Sequence, residues 1–155
     1  MIPAVSLEDY FQNTVIPLRL SCNSTASWPV VLSLWYLFED GAFYCATPRK
    51  ARVVKYLKAD PRCAYEIASD SPPYCGVRGR ALATIHENLG IEILERLLIR
   101  YQGTTANKLA RSLLGRSQAE VAIRITPESY HTWNFSSRMN DIPMSNIYNG
   151  RVCPE

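Results

Sequence analysis

Histidine and the other residues of acid–base and metal chemistry are scarce in this sequence. Its 155 residues include two histidines, His86 and His131, which do not stand at a metal-ligand spacing. The sequence contains no Gly-x-Ser-x-Gly elbow, no His-Glu-x-x-His pair, no Walker lysine loop and no Rossmann glycine fingerprint. Side-chain catalysis therefore has few candidates, and an enzyme built from this chain would depend on a cofactor for its reaction.

Long hydrophobic runs are also missing. No stretch approaches the roughly 18 apolar residues that predict a transmembrane helix. Residues 1–5 (MIPAV) lack the positively charged and apolar regions of a secretory signal peptide. We therefore expect a protein that does not associate with membranes and that is located in the cytoplasm.

The five cysteines contain no Cys-x-x-Cys pair, so the sequence predicts neither a zinc site nor a disulfide framework. Four of the five stand in strand-like runs, where cysteine behaves as a small buried hydrophobic residue. We expect that role for them. The cysteines are Cys22, Cys45, Cys63, Cys75 and Cys153.

Size and composition predict one globular domain that spans residues 1–155. Hydrophobic residues make up 47% of the chain and charged residues 20%, which are ordinary values for a folded domain with one core. The net charge of +3 is too small to indicate a protein that binds nucleic acid or a membrane surface.

Positive charge is concentrated in one segment. From Arg49 to Arg62 there are six basic residues and one acid, Asp60, so the segment carries +5 and the rest of the chain −2. Any anionic ligand of this protein is therefore expected to bind at this segment rather than elsewhere.

The beginning of this segment has the signals of a helix start. Thr47 is a typical N-cap, and Pro48 suits the first helical position. We predict a helix over residues 48–59 whose first turn contains three cations, Arg49, Lys50 and Arg52. Cations are unfavourable at the positive end of the helix dipole, whereas free amide groups and basic side chains together bind phosphate or carboxylate. The segment predicts an anion site unless a nearby acid offsets the charge or the side chains are simply solvated.

Hydrophobic periodicity predicts a mainly β chain. Strands are predicted over residues 15–22, 29–38, 42–46, 63–68, 75–85, 121–126 and 129–135, with a hairpin turn at 39–41. Further helices are predicted from a Ser6 capping box to Asn13 and over residues 89–101 and 105–114. Six to seven short antiparallel strands, mostly linked by hairpins, predict an α+β fold whose sheet closes into a small barrel with peripheral helices.

Several motifs occur in the order and spacing of a known family. They are PVVLSLWY (29–36), FYCATPRKAR (43–52), LKADPR (57–62), YCGVRGRA (74–81), RYQG (100–103) and IRITP (123–127), followed by Trp133. With these motifs the sequence resembles the pyridoxamine 5'-phosphate oxidase-like FMN-binding split-barrel family over about residues 15–135. The resemblance implies a split β-barrel and a homodimer, with FMN or the deazaflavin F420 bound at the subunit interface.

The resemblance also implies which residues bind the cofactor. Thr47 and Arg52 match the phosphate-contacting threonine and arginine of the family, and Lys50 is close enough to join them. Residues 32–35 match the strand whose backbone lies along the flavin ring. The predicted cofactor site consists of Leu32, Ser33, Leu34, Trp35, Ala46, Thr47, Lys50, Arg52, Val53, Tyr74 and Trp133.

Two of these residues match family positions farther along the chain, and two positions depart from the family pattern. Tyr74 falls where a polar residue often approaches the cofactor, and Trp133 matches a tryptophan near the subunit interface.

Val53 stands where many members have a second phosphate-binding lysine. Residues 137–140 (SRMN) replace the Arg-x-His substrate motif of true pyridoxamine phosphate oxidases, so we do not expect oxidation of vitamin B6.

We expect an FMN-binding oxidoreductase that acts on a small molecule, without nucleic acid as a partner. The residues leave three alternatives open. The same scaffold serves as an F420-dependent reductase, as a non-enzymatic module that binds flavin or haem, or as a nucleic-acid binder through the segment from Arg49 to Arg62. The sequence identifies no catalytic side chain and no substrate.

Overall fold

The computed structural model describes residues 4–115, 119–139 and 153–154. Four α-helices lie in these residues: α1 (Leu7–Asn13), α2 (Arg52–Ala59), α3 (Gly90–Gln102) and α4 (Lys108–Leu114). None of these described helices is long and apolar enough to cross a membrane. The strands are β1 (Ala4–Val5), β2 (Leu18–Asn23), β3 (Pro29–Leu34), β4 (Leu37–Glu39), β5 (Ala42–Pro48), β6 (Arg62–Ala68), β7 (Cys75–His86), β8 (Glu120–Pro127), β9 (His131–Asn134) and β10 (Cys153–Pro154).

Eight of these strands form one antiparallel sheet. The strand order is β3-β2-β6-β7-β8-β5-β4, and β9 pairs with β7 beside this path. The sheet curls around the core as the half-barrel of a split barrel, with helices at its periphery. Strands β3 and β4 are its two edges although they are consecutive in the chain, so the link at residues 35–36 joins the edges. The prediction of a small antiparallel barrel with peripheral helices is confirmed.

The core lies inside the curled sheet around the ring of Phe43. The centroid of this ring is 4.8 Å from that of Phe11, 5.0 Å from those of Phe38 and Tyr65, and 5.4 Å from that of Tyr36. Pairs of aromatic rings at such distances contribute about 0.5–1.5 kcal/mol beyond the burial of their area. The five rings come from α1, β4, β5, β6 and the link between β3 and β4. The cluster therefore joins the region where the two edges of the sheet meet to strand β6 in its middle.

Two local signals produced the structures that they predict. The Ser6 hydroxyl accepts a hydrogen bond from the Asp9 amide at 3.1 Å and caps α1. The turn between β4 and β5 has positive φ at both Asp40 (49°) and Gly41 (70°), the backbone that a two-residue hairpin of type I′ requires.

The start of α2 differs from the prediction because the preceding strand is longer. Strand β5 continues through Pro48 and pairs with β8 along its length, so Thr47 lies in the sheet and caps no helix. The ladder supplies the backbone hydrogen bonds for which a local cap would compete. Helix α2 begins at Arg52 after an Ala51 N-cap without a side-chain hydrogen bond. The prediction of three cations in its first turn was wrong, since two of them precede the helix.

Other boundaries also moved. The run predicted as one strand over residues 29–38 is two strands, because Tyr36 turns into the core and is fully buried. Helix α4 begins at Lys108 rather than at residue 105, since the Asn107 side chain accepts a hydrogen bond from the Ala110 amide at 2.7 Å. Strand β9 covers only the middle of the predicted 129–135 strand.

A disulfide bond between Cys75 and Cys153 corrects the prediction that the cysteines form none. It closes a loop of 78 residues and fixes β10, which pairs in parallel with β1, beside β7. No local sequence signal relates two residues so far apart. The other three cysteines, Cys22, Cys45 and Cys63, are free and buried, as predicted. Because disulfide bonds are rare in cytosolic proteins, this bond does not support the cytoplasmic location, which stays a prediction.

We expect Cys153→Ser to lower the free energy of unfolding by about 2–4 kcal/mol, because a cross-link across so long a loop restricts the unfolded chain. Urea unfolding without reductant measures this difference. Dithiothreitol should shift the midpoint of the wild-type protein towards that of the variant and leave the variant unchanged. A wild-type midpoint that is insensitive to the reductant would contradict the prediction.

Candidate functional site

A cavity of about 400 Å³ opens where β3 and β5 end. Ser33 and Leu34 at the end of β3 line it, together with Trp35 directly after this strand and Ala46 of β5. Helices α3 and α4 contribute three leucines, Leu94, Leu97 and Leu113. A volume of this size and a largely apolar lining are typical of sites for small molecules and cofactors.

The cavity brings together four residues of the predicted cofactor site, which lie in two separate stretches of the chain. Strands β3 and β5 are not neighbours in the sheet. They approach each other because the sheet curls until its two edges, β3 and β4, are joined by residues 35–36, and β5 lies next to β4. The barrel closure is therefore what builds the cavity.

Trp35 is held against one neighbouring ring. Its indole stacks on Tyr101 of α3, with ring centroids 4.9 Å apart and planes inclined by 6°. The Tyr101 hydroxyl donates to the Ile16 carbonyl at 3.0 Å and accepts from the Tyr36 amide at 3.3 Å. Burial raises the pKa of the Tyr36 and Tyr101 hydroxyls above the ordinary value of 10.0, so both stay protonated and act as donors at neutral pH.

The basic segment beyond Pro48 is partly neutralised by an acid that the sequence analysis missed. The Glu87 carboxylate forms ion pairs with Arg49 and with Lys58, the latter at 2.5 Å. Glu87 follows β7, far from the basic segment in sequence, so only the sheet topology brings it near. It offsets two of the cations without any ligand.

Two predicted phosphate contacts keep their charge uncompensated. Lys50 and Arg52 are exposed, and within the described residues neither forms an ion pair. Thr47, in contrast, is buried in the ladder with 7% exposure. Pro48 lines the cavity together with its ladder partner Glu120, a buried acid, whereas Lys50 and Arg52 follow Pro48 in the chain and are not among the lining residues.

Two other predicted residues point into the core. Val53 is buried with 6% exposure and belongs to the main hydrophobic cluster. Its side chain therefore packs in the core, and a lysine at this position would have to leave it. Leu32 packs against the same cluster and is not among the residues that line the cavity.

Tyr74 and Trp133 lie together at another part of the sheet. Trp133 is opposite Gly76 in the β7–β9 ladder, and the Tyr74 carbonyl accepts from the Phe135 amide at 2.9 Å. The Arg78 guanidinium lies 5.4 Å from the centre of the Trp133 ring. Neither Tyr74 nor Trp133 lines the cavity, so within a single chain these two predicted residues do not join the other residues of the predicted site.

The outer face of β3, β2, β6 and β7 has an open groove of about 510 Å³ that the sequence analysis did not predict. A cross-strand row of alternating charge runs through it, since Arg19 is opposite Glu66 and Glu66 is opposite Arg78. Large hydrophobic side chains lie beside the groove, among them Val31 with 70% and Tyr130 with 63% of their surface exposed. The alternation of buried and exposed residues along each of the four strands indicates an outward side, but only the strand order shows which outward side chains lie together.

The described residues contain no group of three or more histidine, cysteine, aspartate or glutamate side chains that could bind a metal ion.

No family model and no curated protein matches the sequence. Solved structures do match. A conserved hypothetical protein from Mycobacterium tuberculosis is 20% identical, with a TM-score of 0.71 over 96% of this chain and 95% of its own. An F420 reductase is 17% identical, with a TM-score of 0.68 over 83% of this chain and 98% of its own.

A third structure gives the fold its name. A candidate pyridoxamine 5'-phosphate oxidase from Listeria innocua is 18% identical, with a TM-score of 0.57 over 75% of this chain and 86% of its own. At such identities the likeness concerns the fold. The curled antiparallel sheet, its peripheral helices and these matches together show that the chain has the pyridoxamine 5'-phosphate oxidase-like split-barrel fold.

Proposed function

We propose that the protein binds a flavin, FMN or the deazaflavin F420, in the cavity at the ends of β3 and β5 and is an oxidoreductase that acts on a small molecule. One observation carries the proposal: an apolar cavity has Trp35 as a planar wall and Pro48 in its lining, and Pro48 is followed in the chain by two exposed cations, Lys50 and Arg52, that form no ion pair within the described residues. This combination suits a ligand with a flat ring system and an anionic tail. The proposal agrees with the fold, which an F420 reductase shares.

The cavity has the properties that a flavin ring requires. Leu34, Trp35 and Leu97 offer flat or apolar contact surface, and Ser33 is the polar side chain at the end of β3. A ring system buried among such groups gains from the hydrophobic effect at about 25 cal/mol per Å² of apolar surface removed from water.

Lys50 and Arg52 are the candidates for binding the phosphate. Arg52 is the first residue of α2, and the first turn of a helix has amide groups without intrahelical partners that can bind an anion together with a basic side chain. A hydrogen bond between a charged donor and a phosphate contributes about 1.5–3 kcal/mol. Because Val53 has no charge, Lys50 would be the second basic residue that binds the phosphate.

When bound, a flavin or deazaflavin supplies hydride transfer, and the protein supplies position, charge and exclusion of water. Trp35 and the leucines of α3 shield one region of the cavity from solvent. Lys50 and Arg52 would fix the anionic end and thereby the position of the ring. Glu120 is the acid–base side chain among the described residues that line the cavity, and it is buried, with 8% of its surface exposed.

The absorbance spectrum of the purified protein tests the proposal first, followed by titration with FMN and with F420. Binding of either one at micromolar concentration is the expected result, and the tighter ligand identifies the cofactor. A colourless protein that binds neither would refute the proposal, and a Soret band would indicate haem instead.

We expect Arg52→Ala and Lys50→Ala each to weaken cofactor affinity by at least about tenfold, which corresponds to the loss of one charged hydrogen bond. Fluorescence titration measures the dissociation constants. Lys55→Ala is the matched control, because Lys55 is an exposed cation of α2 about one helical turn beyond Arg52. Equal effects at all three positions would mean that the segment attracts anions only by its general charge.

The ion pairs of the basic segment favour a small anion over nucleic acid. Glu87 pairs with Arg49 and Lys58, and Asp60 pairs with Arg62 at 2.8 Å, so three of the six cations already have partners. Nucleic-acid binding would need many cations at once and would weaken steeply as the salt concentration rises. The affinity for a flavin phosphate held by two cations should depend on salt much less.

We also propose that the protein is a homodimer whose second copy covers the outer face of β3, β2, β6 and β7. Exposed apolar side chains concentrate there, with Val31 and Leu82 on the strands and Trp28 and Tyr130 beside them. The row of Arg19, Glu66 and Arg78 is suited to pairing with a two-fold copy of itself, since a positive side chain of one copy can meet Glu66 of the other.

Val31→Asp should convert the dimer into a monomer, because it replaces an exposed apolar side chain of the proposed interface with a charged group that association would have to desolvate. Light scattering after size-exclusion chromatography gives the molar mass. Val15→Asp is the control, since Val15 is also an exposed valine, at 49%, but precedes β2 outside this face. A wild-type protein that is monomeric at micromolar concentration would refute the homodimer.

A further inference from the structure

We infer that Tyr101 is a positioning residue that fixes the plane of the Trp35 indole as a wall of the cofactor cavity. The inference rests on the proposed function, since it concerns the same cavity. Tyr101 itself is not among the lining residues, so it acts on a ligand only through Trp35.

The stacking geometry restricts the indole to one plane. The two rings are nearly parallel, inclined by 6°, with centroids 4.9 Å apart. The two small hydrophobic clusters to which Trp35 belongs consist mostly of aliphatic side chains, such as Ile93 and Leu94 of α3, and Tyr101 is the ring that stacks on the indole. Aliphatic groups pack against an indole in many orientations, whereas a parallel aromatic partner favours one.

The Tyr101 ring is itself fixed by hydrogen bonds at its hydroxyl. The hydroxyl donates to the Ile16 carbonyl at 3.0 Å and accepts from the Tyr36 amide at 3.3 Å. One bond leads to the segment before β2 and the other to the residue after Trp35. The tyrosine therefore holds both the ring of Trp35 and the backbone next to it.

Arg100 anchors the helical turn that carries Tyr101. Its guanidinium donates to the carbonyls of Phe11, Gln12 and Thr14 at 3.1, 2.7 and 2.9 Å, which are the last carbonyls around the end of α1. The same guanidinium lies 5.8 Å from the centre of the Tyr101 ring. A cation at such a distance is attracted by the ring. The C-terminal turn of α3 is thus tied to α1, and Tyr101 cannot shift with a frayed helix end.

A fixed indole matters for binding because a wall that is already ordered does not lose rotamer freedom when the ligand enters. Ordering one free side chain on binding costs a factor of roughly three to ten in affinity. Without Tyr101, the Trp35 indole would have to be ordered by the ligand. The cofactor affinity should fall by that factor although no direct contact is lost.

Three variants test this role. Tyr101→Phe keeps the stacked ring, Tyr101→Leu removes it, and Trp35→Phe identifies the contribution of Trp35 to the near-ultraviolet circular dichroism of the cofactor-free protein. We expect Tyr101→Leu to lose that contribution and to weaken binding of FMN or F420 roughly three- to tenfold. Tyr101→Phe keeps the stacked ring and should retain the signal and lose less affinity than Tyr101→Leu, although the loss of its bond to the Tyr36 amide should lower the stability of the variant.

Tyr56→Leu is the control for loss of a partly buried tyrosine, because Tyr56 packs against the main core and not against Trp35. It should leave the Trp35 signal and the cofactor affinity unchanged. If Tyr101→Leu does not fold, Tyr101→Met replaces it, since methionine fills a similar volume without a planar ring.

The outcomes separate this inference from the proposed function. A Tyr101→Leu protein that keeps both the Trp35 signal and the wild-type affinity would overturn the inference. An equal loss in Tyr101→Phe and Tyr101→Leu would also overturn it, because the ring would then not be the part that positions. If the wild type binds neither cofactor, the proposed function fails, while the circular dichroism of the cofactor-free variants still decides whether Tyr101 orients Trp35.

Discussion

The amide of Tyr36 donates its hydrogen bond to a side chain, the hydroxyl of Tyr101, and not to a neighbouring strand. This bond lets the chain leave the sheet between β3 and β4 without an unpaired buried amide, which would cost about 1–3 kcal/mol. Tyr36 can then enter the aromatic core while Trp35 turns to the cavity. The joining of the two sheet edges, and hence the cavity between them, depends on this exit from the sheet.

Charge near the cavity is distributed by the sheet topology. A single acid after β7, Glu87, pairs with Arg49 and Lys58, and Asp60 pairs with Arg62, so that within the described residues Lys50, Arg52 and Lys55 of the same basic segment form no ion pair. Such exposed pairs contribute little to stability, with a median near 0–1 kcal/mol each. Their importance is that they separate cations with a structural partner from the cations that remain for an anionic ligand.

Sequence reasoning succeeded where one interaction within a few residues decides the structure. The Ser6 cap, the turn at Asp40 and Gly41, and the alternation of the strands are of this kind. It failed at Thr47, whose cap signal was equally clear, because pairing with β8 offers the same backbone a longer set of hydrogen bonds. It also failed at Cys75 and Cys153, whose separation of 78 residues leaves no local trace.

Most of the strands and helices, though not all of their ends, could be read from the sequence alone, as could the basic segment and the motif series that indicates a split barrel, since period, caps and turn residues are local properties. The folded chain was needed to show that residues 33–35 share a cavity with Ala46, that Glu87 neutralises part of the basic segment, and that Tyr101 stacks on Trp35. The physical reason is the same in each case. These contacts join residues far apart in the chain, and the curl of the sheet, which depends on all strands at once, sets which of them meet.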